Sequence, residues 1–337
     1  MTSKKKNPER PFFSWMGWSM LQKCPRQWFL HNYGRDLPGA EGRAILAERR
    51  LSYWSAFAGQ LADDGITYLI RSYKRTGKWP EDVDQWLHKQ ALEYVRESKA
   101  FAQAYEANRD LPYVNHQVLM PYFFNEEKSL AEHKLVLTKA RESAARFLES
   151  DLPSRIQSEN PDSLMCDHKE GGFPWASHGG IPVYAVYDFA IRRPDAAVIF
   201  DWKTGKLTPE TEKKALEQLH WYALYAIEEW GLTPEQITLA PVFLSAGTTY
   251  FESAPDPALL ASIKEMWRST YDDIVEKRRI SIGLRAFQEQ FSQTTDNREC
   301  LNCQFRSCSG YARAVSAKIL PEALSNSVNF AFPGEID

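Results

Sequence analysis

The sequence predicts an α/β fold, and three observations carry the prediction. Before about residue 150, apolar residues recur at helical spacing in long segments. From about residue 160 the texture changes to turn-rich stretches and β-branched, aromatic runs. A capped helix pattern then stands between two strand pairs, giving a small mixed sheet wrapped by helices.

The elements follow in order. Residues 1–10 are a polar tail containing Lys4, Lys5 and Lys6, expected to be disordered. Residues 13–33 carry apolar positions at mixed helical spacing, with Gly34 as the stop. Residues 43–76 read as helix, with Phe57, Leu61, Tyr68 and Leu69 roughly on one side. Residues 80–109 start near Pro80 with acids in the first turn, and 126–150 give another long helical pattern. Between these two, "NHQVLMPYFF" is a strand or a loop.

After the turn-rich "HKEGGFPWASHGG", residues 181–202 read as a β-hairpin built from "IPVYAVYDFAIRR" and "AAVIFDW". The following helix has Thr208 as its cap, Pro209 in its first turn and Gly231 at its end. "ITLAPVFLS" and "TTYFES" form a second strand pair, and 257–279 is helical. There are no repeats and no low-complexity segments.

Bulk composition narrows the function classes. The 337 residues are 43% hydrophobic and 25% charged, an ordinary globular balance, and length alone does not choose between one domain and two. Eleven Trp residues imply thick cores or aromatic surfaces. A net charge of -3 gives no global basic signature, so a nucleic-acid partner has to be held by a local groove. No apolar run approaches the roughly 20 residues that span a bilayer. No apolar region follows the charged start "MTSKKKNPER" either, so neither a signal peptide nor a membrane partner is expected. The expectation is a cytoplasmic protein whose five Cys residues stay reduced. No G-x-x-x-x-G-K-[ST] is present, so any ATP-driven unwinding comes from another chain.

The stretch "AAVIFDWKTGK", residues 196–206, runs four apolar residues into Asp201 and sets Lys203 two positions on. Strand alternation puts that carboxylate and ammonium on one face. Asp188, on the first hairpin strand, brings a second carboxylate near the first, making a hard-oxygen site of the kind Mg²⁺ or Mn²⁺ prefers. Gln218 and Tyr222, four apart on the next helix, share a face and can orient Lys203. Each feature alone has a plainer reading. A lone D-x-K is more often a salt-bridged strand end, and Tyr222 alone is more often core. Their conjunction is what points to phosphoryl chemistry.

That order, a strand Asp, then D-x-K-T-G, then Q-x-x-x-Y on a helix, resembles the PD-(D/E)XK nuclease superfamily. It is most similar to the RecB-type exonuclease branch, which includes nucleases of CRISPR spacer adaptation. The resemblance rests on "VYAVYDFAIRRPDAAVIFDWKTGK" and "EQLHWYALY". It implies a restriction-endonuclease-like core in which Asp188, Asp201 and the Trp202 backbone carbonyl bind a divalent metal. By the same resemblance Lys203 positions the attacking water, and Gln218 and Tyr222 complete the pocket. The branch usually carries a His in a G-x-x-x-H context on an early helix. Here the position after Gly59 is Asp63, with Asp64 beside it, and Asp63 is the expected substitute; its plainer reading is a solvated helix acid.

"ECLNCQFRSCSG" places Cys300, Cys303 and Cys308 within nine residues, enough thiols to chelate a soft metal with a fourth ligand from Cys24 or Cys166. Iron–sulfur nucleases of the superfamily are similar in pairing three C-terminal Cys with one in a C-P-R-x-aromatic context, which Cys24-Pro25-Arg26-Gln27-Trp28 matches. The last spacing is one residue shorter than usual. The resemblance thus implies a 4Fe–4S cluster on Cys24, Cys300, Cys303 and Cys308, stapling the chain ends. Zn²⁺ on the same thiols is the competing reading, and Cys166 is then a semi-buried free thiol. His168 and His178 flank the Gly-rich loop; they are read as polar surface, with an approach to the metal as the alternative.

The expected organisation is a single nuclease domain over residues 11–337. Within it, 80–150 is a helical insertion lobe, 160–255 the catalytic sheet and helix, and 295–310 the Cys cluster closing with Cys24. The implied activity is Mg²⁺- or Mn²⁺-dependent hydrolysis of DNA, as single strands or duplex ends, with exonuclease action the favoured form. DNA repair, CRISPR adaptation and antiviral defence are the settings, with a helicase or another repair or defence protein as partner. Two alternatives stand beside it: a catalytically weak DNA-end-binding scaffold of the same fold, and a zinc-stabilised interaction protein unrelated to nucleases.

Overall fold

The computed structural model describes residues 11, 13–114, 116–126, 130–166 and 175–317. The basic tail and His168 lie outside these residues.

Along the chain the elements begin with β1 (Phe13–Ser14), α1 (Trp15–Lys23) and α2 (Pro25–Tyr33). The single helix expected over 13–33 is therefore broken, and the reason is local. Pro25 disfavours helical backbone at the residue before it, and Cys24 is extended with φ -155° and ψ 104°. Next come α3 (Gly39–Glu48), β2 (Leu51–Ser52) and α4 (Trp54–Thr76). The helix expected over 43–76 is also two helices, because Leu51 and Ser52 are buried in extended conformation between them. α4 ends where Gly77 takes φ +72° and returns its N–H to the Tyr73 carbonyl, a left-handed cap that Gly adopts at no steric cost.

α5 (Val83–Glu106), β3 (Val118–Leu119), α6 (Met120–Phe123), α7 (Leu130–Glu149) and α8 (Leu152–Gln157) follow. The strand region comprises β4 (Leu164–Met165), β5 (Trp175–His178), β6 (Ile181–Tyr184), β7 (Phe189–Arg192) and β8 (Ala197–Lys203). After it come α9 (Pro209–Trp230), β9 (Ile237–Phe243), β10 (Thr249–Tyr250) and α10 (Pro257–Ile280). The chain continues with α11 (Gly283–Glu289), α12 (Asn297–Leu301) and α13 (Ser309–Ser316).

The chain divides into two compact units. The first takes the described residues up to Trp15 together with Ser52–Glu276. Its main sheet has the order β10-β9-β8-β7-β4, with β8 and β9 parallel and the other neighbours antiparallel. α9 is the crossover between the two parallel strands, as such pairs require. Its start is fixed by a capping box in which the Thr208 hydroxyl accepts from the Thr211 N–H while Thr211 Oγ1 accepts from the Thr208 N–H. A smaller sheet has the order β1-β6-β5.

The expected hairpin over 181–202 is thus corrected. Ile181–Tyr184 belong to the smaller sheet, and only Phe189–Arg192 pair with β8. The last antiparallel pair is Phe189 with Phe200. One step further the register would set Asp188 against Asp201, and like charges directly opposite oppose pairing. The ladder stops there, leaving Asp188 at a bend just before β7 rather than on a strand.

One face of β8 supplies the core. Trp202 stacks with Phe189 and Phe200, those two rings tilt against each other, and Trp202 meets Phe147 of α7 edge-on. α4 packs against α7 and α5, burying Leu61, Ile66 and Leu69, so the 80–150 helices close on the helix that carries Asp63. Cys166 is buried in this core, deeper than a semi-buried thiol. Among the described residues, no helix is long and apolar enough to cross a membrane.

The second unit is built from Met16–Leu51 and the described residues from Lys277 onward. Its centre is aromatic: Trp28, Phe29, Phe287 and Phe291 contact one another at centroid distances of 5.1 to 5.5 Å. Arg26 donates to the Phe291 carbonyl, and Glu48 accepts from both the N–H and the hydroxyl of Ser307.

Candidate active site

β8 delivers Asp201 and Lys203 to the sheet face opposite Trp202, as the period of two requires. Asp201 is only 1% exposed, and its Oδ2 forms a salt bridge with the Lys203 ammonium. α9 supplies the group that organises them. Gln218 Oε1 accepts from Lys203 Nζ at 2.8 Å, while its Nε2 donates to Asp201 Oδ1 at 2.9 Å and to Tyr222 Oη at 2.6 Å. One amide thus fixes carboxylate, ammonium and phenol. Asp188 Oδ2 accepts the Trp202 N–H at 2.6 Å, which holds the second carboxylate against the same strand end.

Electrostatics tie a third carboxylate to this group. Burial pushes the Asp188 carboxyl well above the usual range, and the charges of Asp63 and Asp201 push it further. Burial also raises Asp201, with Lys203 pulling part of the way back. For Lys203 burial alone favours the neutral amine, but Asp201 and Asp188 outweigh it and hold the ammonium above its ordinary pKa. Tyr222 is raised by burial, then by Asp201 and Asp188, so it stays a phenol. Several acids crowded beside one fixed cation form a site with an affinity for further positive charge.

Asp201, Lys203, Gln218 and Tyr222 are therefore joined by direct bonds, with Asp188 on the Trp202 amide of the same strand. Asp63 is tied to them through its charge, and His178 is not among them. It pairs with Glu228 at 2.7 Å and lies edge-on to Trp267. Two partners of the α4 acids were not anticipated. Gln60 Nε2 reaches Asp64 at 3.1 Å and Asp63 at 3.5 Å, and Tyr94 donates to Asp64 Oδ2 at 2.7 Å. Gln60 had a signal, its spacing of three and four from the two acids. Tyr94, thirty residues away on α5, had none.

In the second unit Cys24, Cys300, Cys303 and Cys308 line one cavity. Three of the sulfurs accept N–H groups. Thr294 N reaches Cys24 Sγ at 3.5 Å, Arg313 reaches Cys300 at 3.4 Å, and the Gln293 amide reaches Cys308 at 3.6 Å. Burial raises the thiols of Cys300 and Cys308, and pushes Cys303 up to about 12. Among the described residues, no three His, Cys, Asp or Glu side chains converge as the cage of a single metal ion.

A family model for the PD-(D/E)XK nuclease superfamily matches residues 13–308, most of the chain. The chain belongs to that superfamily, whose members are typically nucleases that use divalent metals such as Mg²⁺ or Mn²⁺. No curated protein matches it.

Proposed function

We propose that the chain is a Mg²⁺- or Mn²⁺-dependent deoxyribonuclease, with exonuclease action as its mode and Asp188, Asp201 and Lys203 at its centre. The observation that carries this reading is the buried network in which Gln218 joins Asp201, Lys203 and Tyr222 beside Asp188. The donor set suits a hard cation. Mg²⁺ keeps several waters and usually takes only one or two carboxylates plus substrate phosphate, so it needs no three-carboxylate cage. Asp188, Asp201 and the Trp202 carbonyl would hold the ion, with Asp63 close enough to add charge. When bound, the ion supplies Lewis acidity at the phosphoryl oxygen. The chain's own groups do the rest. Asp201 and Gln218 orient Lys203, and its ammonium positions the attacking water and meets charge developing on phosphate. Repair, CRISPR adaptation or anti-phage defence are its settings.

Labelled DNA tests this. Wild type should degrade it with Mg²⁺ or Mn²⁺ and not with EDTA, and Asp201→Ala and Lys203→Ala should not degrade it. Identical behaviour of all three proteins under every condition sinks the nuclease reading.

The four cysteines support a 4Fe–4S cluster in the second unit. Each iron of such a cluster takes one thiolate, so four thiols lining one cavity are the donor set it needs. Zn²⁺ is the other occupant the donors admit. A brown preparation with iron and sulfide in near-equal amounts supports the cluster; a colourless one containing zinc removes it.

A further inference from the structure

A cleft of about 680 Å³ in the first unit has no part in the chemistry above. Asp64, Thr67, Tyr68, Arg71, Lys74 and Arg75 of α4 form one wall, and Trp86 and Gln90 of α5 face them. The α4 residues recur at three and four, so they form one stripe along the helix. That stripe starts beside Asp63 and ends in cations, with Asp64 and Arg71 about 11 Å apart along the axis.

Two features of the cleft are specific. The rings of Tyr68 and Trp86 stack at 4.7 Å with an interplanar angle of 9°, and both are half-buried, leaving aromatic surface toward the cleft. Three cations stand within two turns of that platform. Arg71 and Lys74 each spend a donor on a β4-region carbonyl, of Cys166 and Leu164 respectively. An ammonium has three N–H donors, so Lys74 can meet an anion while it holds the Leu164 carbonyl. Arg75 is exposed. The Tyr68 hydroxyl donates to Asp82 at 2.7 Å, which holds the platform in place. A flat aromatic platform flanked by three cations matches an unpaired base and its phosphates, whereas paired bases hide their faces in the stack.

We propose that the α4–α5 cleft is a subsite for single-stranded DNA, in which a base stacks on Tyr68–Trp86 and Arg71, Lys74 and Arg75 hold the adjoining phosphates. It rests on the nuclease reading for its biological meaning and feeds unpaired strand along α4 toward Asp63. Duplex DNA would occupy this cleft only where its end is unpaired.

Binding is measured in EDTA, where no cleavage occurs, by anisotropy of a fluorescein-labelled oligothymidylate and of a blunt hairpin duplex. Arg71→Gln/Arg75→Gln should weaken oligothymidylate at least tenfold at low salt. The slope of log affinity against log salt should fall by about 1.4, from about 0.7 per lost phosphate contact. Trp86→Leu should weaken oligothymidylate about fivefold or more, and Trp86→Phe should restore most of it. Hairpin binding should change less than twofold in the Trp86 variants. Circular dichroism checks folding, and Arg75→Glu, at an exposed position, gives a second test should Trp86→Leu unfold.

The proposal is overturned if wild type does not bind oligothymidylate, if the Arg variants bind it as wild type does, or if hairpin and single strand weaken equally. Failure here with metal-dependent hydrolysis intact removes the subsite alone. Binding as expected without hydrolysis removes the nuclease reading alone.

Discussion

The carboxylate site of the first unit and the cysteine cavity of the second bury reactive groups by opposite means. Asp201 and Lys203 sit on a central strand and Gln218 and Tyr222 on the helix that follows, and they fix one another directly. The cysteines sit where helices begin or end. Cys24 caps α2, Cys308 caps α13, and Cys300 lies in the short α12. Three of the sulfurs, those of Cys24, Cys300 and Cys308, take N–H groups from the Thr294 amide and the side chains of Arg313 and Gln293. The first arrangement crowds buried carboxylates together, which raises Asp188 well above the usual carboxylate range. In the second, burial raises the thiols of Cys300, Cys303 and Cys308, so a soft metal binding there would have to displace their protons.

The largest effect that sharpens this contrast is on turnover. Asp201→Asn keeps the shape of the side chain but should lower DNA hydrolysis more than about 10³-fold, measured at saturating Mn²⁺. Turnover within tenfold of wild type would place the chemistry elsewhere.

Next in size is the cysteine contrast. Cys303→Ala should abolish bound iron and bring the second unit's unfolding forward by about 3 kcal/mol or more. Cys166→Ala, in the apolar core, should cost about 1 kcal/mol and leave the iron content unchanged. Equal iron in both variants counts against the cluster.

A third test uses pH. Asp188 and Asp201 have folded-state pKa values raised above those of an unfolded chain, chiefly by burial. Their stability contribution is therefore complete below the ordinary carboxylate pKa and is lost as pH rises through the raised values. Without divalent metal, the first unit should melt lower as pH climbs from the acid range. Asp188→Asn should flatten that dependence and raise the melting temperature at neutral pH by about 2–4 °C. A lower melting temperature in this variant would show that Asp188 is well compensated by the Trp202 amide. Smallest is Thr208→Ala, which removes the α9 cap at a cost of about 1 kcal/mol, read by urea denaturation.

Much of the site was legible because it is local. Asp201, Lys203, Gln218 and Tyr222 lie within one strand and its crossover helix, so the periods of two and 3.6 already fix their faces. The α9 boundaries were legible for the same reason, since Thr208, Pro209 and Gly231 act on neighbouring backbone. The Asp188 bend was not. It depends on which sheet Ile181–Tyr184 join, and β1, at Phe13–Ser14, decides that by pairing with Val183 and Tyr184. The breaks at Cys24 and at Leu51 had signals of unequal strength. Pro25 announces the first, while the second depends on burial that only tertiary packing supplies. The Tyr94–Asp64 bond and the cleft beside it arise from two helices meeting, which no spacing within either one reveals.

β8 is paired along its whole length to β9, and Phe189–Arg192 pair with its first four residues. An amide locked between two neighbours exchanges its hydrogen only when the whole unit opens. The Val198 and Phe200 amides should therefore be among the last to take up deuterium. The strand bearing the groups assigned to turnover would then be the slowest clock in its unit, with whatever motion admits substrate confined to the helices around it.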